Sequence, residues 1–337
     1  MLTSVLVVIY KVRSENSLDS VPVVYQDLTT WDLADRLNQI QLGRLIFNYG
    51  AASFFMLNVS IFIGKFVRKL DITDKRIAVS PKPYALLLLR VATPLLVLLS
   101  RTHNAILFSV FELQLQLLHL WFCSDTEAPS ATDSVASILP KPVAATSILL
   151  ALTQCTFFLM GNSNSLSSVD LGNAYIGVDD YNIGFTGLLT FVSNWSGSIW
   201  WTIAGISIIV DGYWQCYKPV ESVVMHSHST AVTSGDDHDD HEDETLETTA
   251  AEGSKSAISS DLLSYYSMYY ICSAFFFSVA LSTLTISVTI LRQHLFIWTV
   301  FSPKFLFQGA WITLYHCVIQ TLISTFLVVV WVPWCIT

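Results

Sequence analysis

The sequence predicts an all-α fold: a polytopic transmembrane helix bundle of about seven spans, with one broken or re-entrant segment. Three observations carry this. Of the 337 residues 53% are hydrophobic and 13% charged, with a mean hydropathy of +0.53, where a soluble domain needs roughly a quarter of its residues charged. Six apolar runs, at 45–64, 83–100, 105–122, 143–160, 265–290 and 307–332, approach the roughly 20 residues that a spanning helix requires. Finally, the net charge of −9 sits in one place, because residues 211–260 hold eleven acids against two lysines. The body is neutral and apolar, so a nucleic-acid binder, which needs a basic face, is excluded.

Taken in order, residues 1–43 open with an apolar stretch, Val5–Tyr10, too short to span and without the basic flank of a signal peptide. It reads as the stump of an upstream span, followed by a polar segment. Residues 44–210 form the main bundle. The loop after the first full span carries Lys65, Arg68, Lys69, Lys75, Arg76 and Lys82 against Asp71 and Asp74, which places it in the cytosol. Alternation then puts the polar loop 161–182 on the lumenal side. The seventh region, 183–210, is interrupted at Asn194-Trp195-Ser196-Gly197-Ser198. It either crosses once or returns as a hairpin. The positive-inside rule leans to the hairpin, because that places Arg292, His294 and Lys304 inside. Residues 211–260 read as an acidic, His-rich disordered linker, and 261–337 as a C-terminal pair of transmembrane helices.

Few residues invite chemistry. Arg90 lies mid-span, where an arginine costs about 2.5–3.5 kcal/mol on insertion scales, and Glu112 on the next span is its expected intramembrane partner. Gln114 and Gln116 suit hydrogen bonding between helices. His226, His228, His238 and His241 among acids resemble a metal trap, but low-complexity surroundings fix no ligand geometry, so no metal site is expected. The six cysteines are scattered without a CxxC pair. No catalytic residue is identifiable. The richest polar stretch is GNSNSLSSVDLGNAYIGVDDYNIGFTGLLTFVSNWSGSIWW, 161–201. There Asn162, Asn164, Asp170, Asn173, Tyr175, Asn182, Asn194 and Trp195 are candidates for a sugar or lipid headgroup. The competing reading is an ordered loop beside an aromatic belt that includes Trp200 and Trp201.

The same stretch, with RQHLFIWTVFSPKFLF at 292–307, resembles the C-terminal membrane region of the GPI ethanolamine phosphate transferases. The likeness runs from about residue 40 to the end, is weak at 123–142 and is absent from 216–260. Within the family the GNSNS…VD signature is most similar to the fungal second-mannose enzymes. The resemblance implies a multi-pass protein of the endoplasmic reticulum membrane. It further implies handling of phosphatidylethanolamine, of a GPI-precursor glycolipid and of membrane lipids, with room for a small membrane partner subunit. It also implies an N-terminal lumenal domain of alkaline-phosphatase type, with two zinc ions and a threonine nucleophile. No position here matches those motifs, so zinc is expected only in that domain and no cofactor in this chain. A non-catalytic scaffold and a small-solute transporter working through Arg90 and Glu112 remain the alternatives.

Overall fold

The computed structural model describes residues 2–19, 30–70, 82–124, 140–163, 169, 171–178, 182–210, 243–293 and 295–331. All regular structure among them is helical. The helices are α1 (Leu2–Asp19), α2 (Thr30–Leu70), α3 (Lys82–Leu99), α4 (Ala105–Ser124) and α5 (Pro140–Leu159). Next come α6 (Ile183–Asn194) and α7 (Ser196–Val210), then α8 (Asp243–Ile290) and α9 (Leu295–Ile312). Short 3₁₀ turns stand at Thr102–Asn104 and Gly172–Tyr175. The segments Asn38–Gly64, Tyr266–Ile290 and Pro303–Trp331 are long and apolar enough to cross a membrane, and five shorter apolar helices accompany them. This is a helical membrane bundle.

The apolar runs read from hydropathy coincide with α2 through α5, α8 and α9. What hydropathy does not rank is burial, and here one helix stands apart: every residue from Ser196 to Val210 is buried. α7 is therefore the axis of the bundle. Ser198 donates to the Thr153 carbonyl of α5 at 3.1 Å, and Trp200 Nε1 donates to Thr93 Oγ1 of α3 at 3.0 Å. Thr202 meets Tyr315 of α9 at 3.3 Å, and Ser207 meets His119 of α4 at 3.3 Å. Small residues allow this closeness. A Cβ on Gly197 would strike Thr156 and Met160, and one on Gly205 would lie 3.2 Å from Leu149.

The break at 194–198 is a kink. Trp195 alone leaves helical geometry (φ −103°, ψ 11°). Its N–H still bonds the Phe191 carbonyl at 3.0 Å, and its own carbonyl accepts from Ile199 at 2.8 Å. The chain keeps its direction. Ser193 bonds the Leu99 carbonyl at the end of α3, Trp200 meets Thr93 lower down, and Ser207 meets His119 near the far end of α4. The fourteen-residue step from Ser193 to Ser207 corresponds to about 21 Å of helix. The region crosses the bundle once, so the hairpin is not formed. Burying α7 on all sides outweighs the placement of two or three basic residues in the turn after α8. Accordingly, Val210 at the end of α7 lies at the end of the bundle where α3 begins, and Arg292 lies at the end where α5 finishes and α6 begins.

α8 returns antiparallel to α9, with Tyr266 opposite Thr325 (3.3 Å), Tyr270 opposite Thr321 (2.9 Å) and Ser273 beside Gln320 (2.8 Å). It also begins earlier than composition suggests. Residues 243–260, read as part of a disordered linker, are helical and continuous with the span. Once a span nucleates a helix, propagation costs little per residue. Residues 211–242, the rest of that linker, lie outside the described residues. Past Ile312, α9 widens into π-helical turns at Thr313–Ser324 and Phe326–Trp331. Within the first of these, Tyr315, Ile319, Gln320 and Ser324 are all buried.

Candidate functional site

The polar candidates gather at one end of the bundle, where the α3–α4 turn, the end of α5, the Gly172–Tyr175 turn and the α6–α7 kink meet. A helix leaves its last carbonyls without partners, and α5 ends with Leu159 exposed but Met160 and Asn162 buried. Gly161 takes a left-handed conformation (φ +84°) that terminates α5 and leaves room for Arg101. A Cβ there would sit 2.9 Å from Arg101 Nη1. Asn162 Nδ2 donates to the Phe157 carbonyl at 3.1 Å and to the Asn194 carbonyl at 2.9 Å. Asn104 Nδ2 donates to the Met160 carbonyl at 3.0 Å. Lys11, buried on α1, donates to the Ser100 carbonyl at the end of α3. Arg44 Nε donates to the Gly177 carbonyl at 3.0 Å. Cations and amides thus meet the negative ends of helices, as the helix dipole favours.

Between these groups lies a shallow cleft of about 10 Å³, lined by Ser100, Arg101, Asn104, Met160, Asn162, Ser193 and Asn194. That is room for one water molecule at most. A headgroup would therefore rest on its mouth. Of the sequence candidates, Asn162 and Asn194 line this cleft and Trp195 adjoins it. Asn162 is buried and Asn194 half-buried, with its Nδ2 bonded to the Thr190 carbonyl at 2.9 Å. Asn182 caps α6, its Oδ1 accepting from Gly184 at 3.1 Å and Phe185 at 3.2 Å. Asn173 is half-buried in the 3₁₀ turn, and Tyr175 is 47% exposed. Asn164 and Asp170 lie outside the described residues.

The tryptophans sit deeper than an interfacial belt would. Trp195 is 7% exposed and stacks on Trp311 at 4.5 Å, with Phe157 at 5.2 Å and Phe191 at 5.7 Å. Trp200 and Trp201 are fully buried against Phe111 at 5.8 and 6.1 Å. These rings build the core, so they offer no stacking surface to a sugar.

Arg90 is exposed on α3 and Glu112 half-buried on α4, and no ion pair joins them among the described residues. Sequence reasoning passed over a second polar system, inside the bundle. His316 Nδ1 lies 2.9 Å from Gln320 Oε1 and 3.4 Å from Ser273 Oγ, and its ring stacks on Tyr270 at 4.5 Å. Tyr315 links Thr202 and Thr153, and Gln154 donates to Gln308 at 3.4 Å. The signal was present as lone His and Gln residues within apolar runs. Among the described residues no group of three or more His, Cys, Asp or Glu could hold a metal. His226–His241 fall outside the described residues.

Comparison with known proteins places this architecture. Residues 3–333 match the family described as the GPI ethanolamine phosphate transferase membrane region. A GPI ethanolamine phosphate transferase 2 of Yarrowia lipolytica is 37% identical over 180 residues, 53% of this chain and 18% of the relative. Its namesake in Candida albicans is 37% identical over 179 residues, 53% of this chain and 17% of the relative. The Aspergillus fumigatus protein of that name is 31% identical over 222 residues, 66% of this chain and 20% of the relative. The matched segment spans about a fifth of each of these relatives. No solved structure matches the chain. With a family match over nearly its whole length, the chain belongs to the GPI ethanolamine phosphate transferase membrane-region family.

Proposed function

We propose that this chain is the membrane part of a GPI-anchor biosynthesis enzyme that transfers ethanolamine phosphate from phosphatidylethanolamine to a mannose of the GPI precursor. Its work is anchoring and lipid-substrate handling, as a multi-pass protein of the endoplasmic reticulum membrane with the polar end facing the lumen. The supporting observation is that polar end. Arg101 is held across Gly161 beside a rim of amides and hydroxyls, and Tyr175 is exposed on the Gly172–Tyr175 turn, at the end of an apolar bundle. A guanidinium attracts a lipid phosphate, and the surrounding amides suit sugar hydroxyls. The rim orients headgroups, and the reaction itself belongs to the zinc-bearing domain that the family resemblance implies.

The test is photolabelling of the chain in membranes with a photoactivatable phosphatidylethanolamine. Labelling should concentrate on 161–195 and fall severalfold in Arg101→Ala, by the strength of a charge-assisted hydrogen bond, with lesser loss in Tyr175→Phe. Even labelling along all spans, indifferent to Arg101→Ala, would leave the scaffold reading. That reading draws support from the structural bonds of Asn162 and Asn182.

A further inference from the structure

The outer face of α3 and α4 is apolar except in one band. α4 turns Ile106 (73% exposed), Leu113 (57%) and Leu117 (56%) outward. Among them Gln116 is exposed, Glu112 is half-buried beside it, and Arg90 is exposed on neighbouring α3. Lipid tails offer no hydrogen bond to these groups, and polar side chains on a membrane helix face are what join helices together. Arg90 lies nine residues before the end of α3 and Glu112 seven after the start of α4. At 1.5 Å per residue their depths are about 13 and 10 Å from the shared turn. The outer surfaces of neighbouring α3 and α4 thus carry one charge of each sign at nearly one depth.

That pattern identifies the occupant. Two copies of a membrane chain insert in the same orientation, so a two-fold axis along the membrane normal brings equal depths together. An isologous contact requires that residue i meet j while j meets i. A surface with a single sign of charge would call for a different partner, whereas this one complements itself. We propose that the α3–α4 face is an interface between two copies of this chain, with Arg90 of each opposite Glu112 of the other and the outward residues of α4 packed at the centre.

The test uses the full chain, expressed in two differently tagged forms in the same membranes. Capture of one tag should bring down the other, and Leu113→Cys chains should cross-link into a dimer on mild oxidation. Arg90→Glu alone, or Glu112→Arg alone, should lower co-capture by at least about tenfold, because like charges then face each other. Mixing Arg90→Glu chains with Glu112→Arg chains should restore it, since both cross-pairs are then complementary. A pair closed within each chain predicts no rescue on mixing. An anionic lipid at Arg90, or a different protein partner, predicts no self-capture to begin with. Either result overturns the proposal. The cross-link at Leu113→Cys keeps the native charges, so its absence also refutes the interface even if the reversed-charge chains fold poorly.

Discussion

Replacing Asn162 by alanine separates two readings of the same amide. If Asn162 exists for a headgroup, its loss should impair ligand labelling and leave the fold intact. The structure gives Asn162 a role in the frame. Its Nδ2 holds the Phe157 carbonyl at 3.1 Å and the Asn194 carbonyl at 2.9 Å, tying the end of α5 to the α6–α7 kink. The carbonyl of Phe157 lacks the usual helical donor, because the Gly161 N–H turns instead to Phe158 at 3.0 Å. A buried carbonyl left without a donor costs roughly 1–3 kcal/mol. With the half-buried Asn194 carbonyl at about half that, Asn162→Ala should cost roughly 2–4 kcal/mol. At roughly 2–4 °C per kcal/mol in sizeable domains, the melting temperature should fall on the order of 5–10 °C. Thermal unfolding of the purified chain in a mild detergent, followed by tryptophan fluorescence, reads this directly. Asn182→Ala is the control. It removes an exposed helix cap worth about 1 kcal/mol and should shift the midpoint much less. An Asn162→Ala protein with the parent melting temperature and lost lipid labelling would refute the structural assignment.

Two further outcomes are expected. Gly161→Ala forces a Cβ into the left-handed region and towards Arg101. It should destabilise by about 1–2 kcal/mol and weaken lipid labelling at the same end of the bundle, both measurable on one preparation. Trp200→Phe should be more damaging than Trp201→Phe, although both rings are buried. Trp200 Nε1 donates to Thr93 Oγ1 at 3.0 Å, whereas the buried Trp201 Nε1 has no acceptor among the described residues. Removing a satisfied donor loses a hydrogen bond worth about 1 kcal/mol, while removing an orphaned one relieves a desolvation cost. Equal melting temperatures for the two variants would contradict this.

Hydropathy made the spans legible, because a helix in lipid must be apolar along most of its length wherever it sits. For the same reason it could not rank them. The sequence of α7 looks no more internal than that of α4, yet one touches no lipid and the other carries exposed leucines. The choice between a single crossing and a hairpin at 183–210 stayed open through this gap, since charge counting weighs loops and ignores what a central helix gains by burial. At the polar end, amides were legible as a cluster but not as parts of a frame. A capping asparagine and a ligand-binding one present the same chemistry, and only the position of neighbouring backbone N–H and C=O groups separates them. Asn182 shows this plainly, since its polar setting suggested a ligand and its geometry is that of a helix cap.

The enclosure of α7 also bears on how the chain assembles. Ribosomes deliver α3, α4 and α5 before α7, but Trp311 and Tyr315, which cover Trp195 and Thr202, emerge only about a hundred residues after α7 ends. Until then one flank of the central helix, with a hydroxyl and an indole on it, is wetted by lipid alone. The last two helices therefore act as a latch on a half-built barrel of helices. A chain cut short before α8 should expose that flank to the quality-control machinery that recognises unpaired polar groups in the membrane.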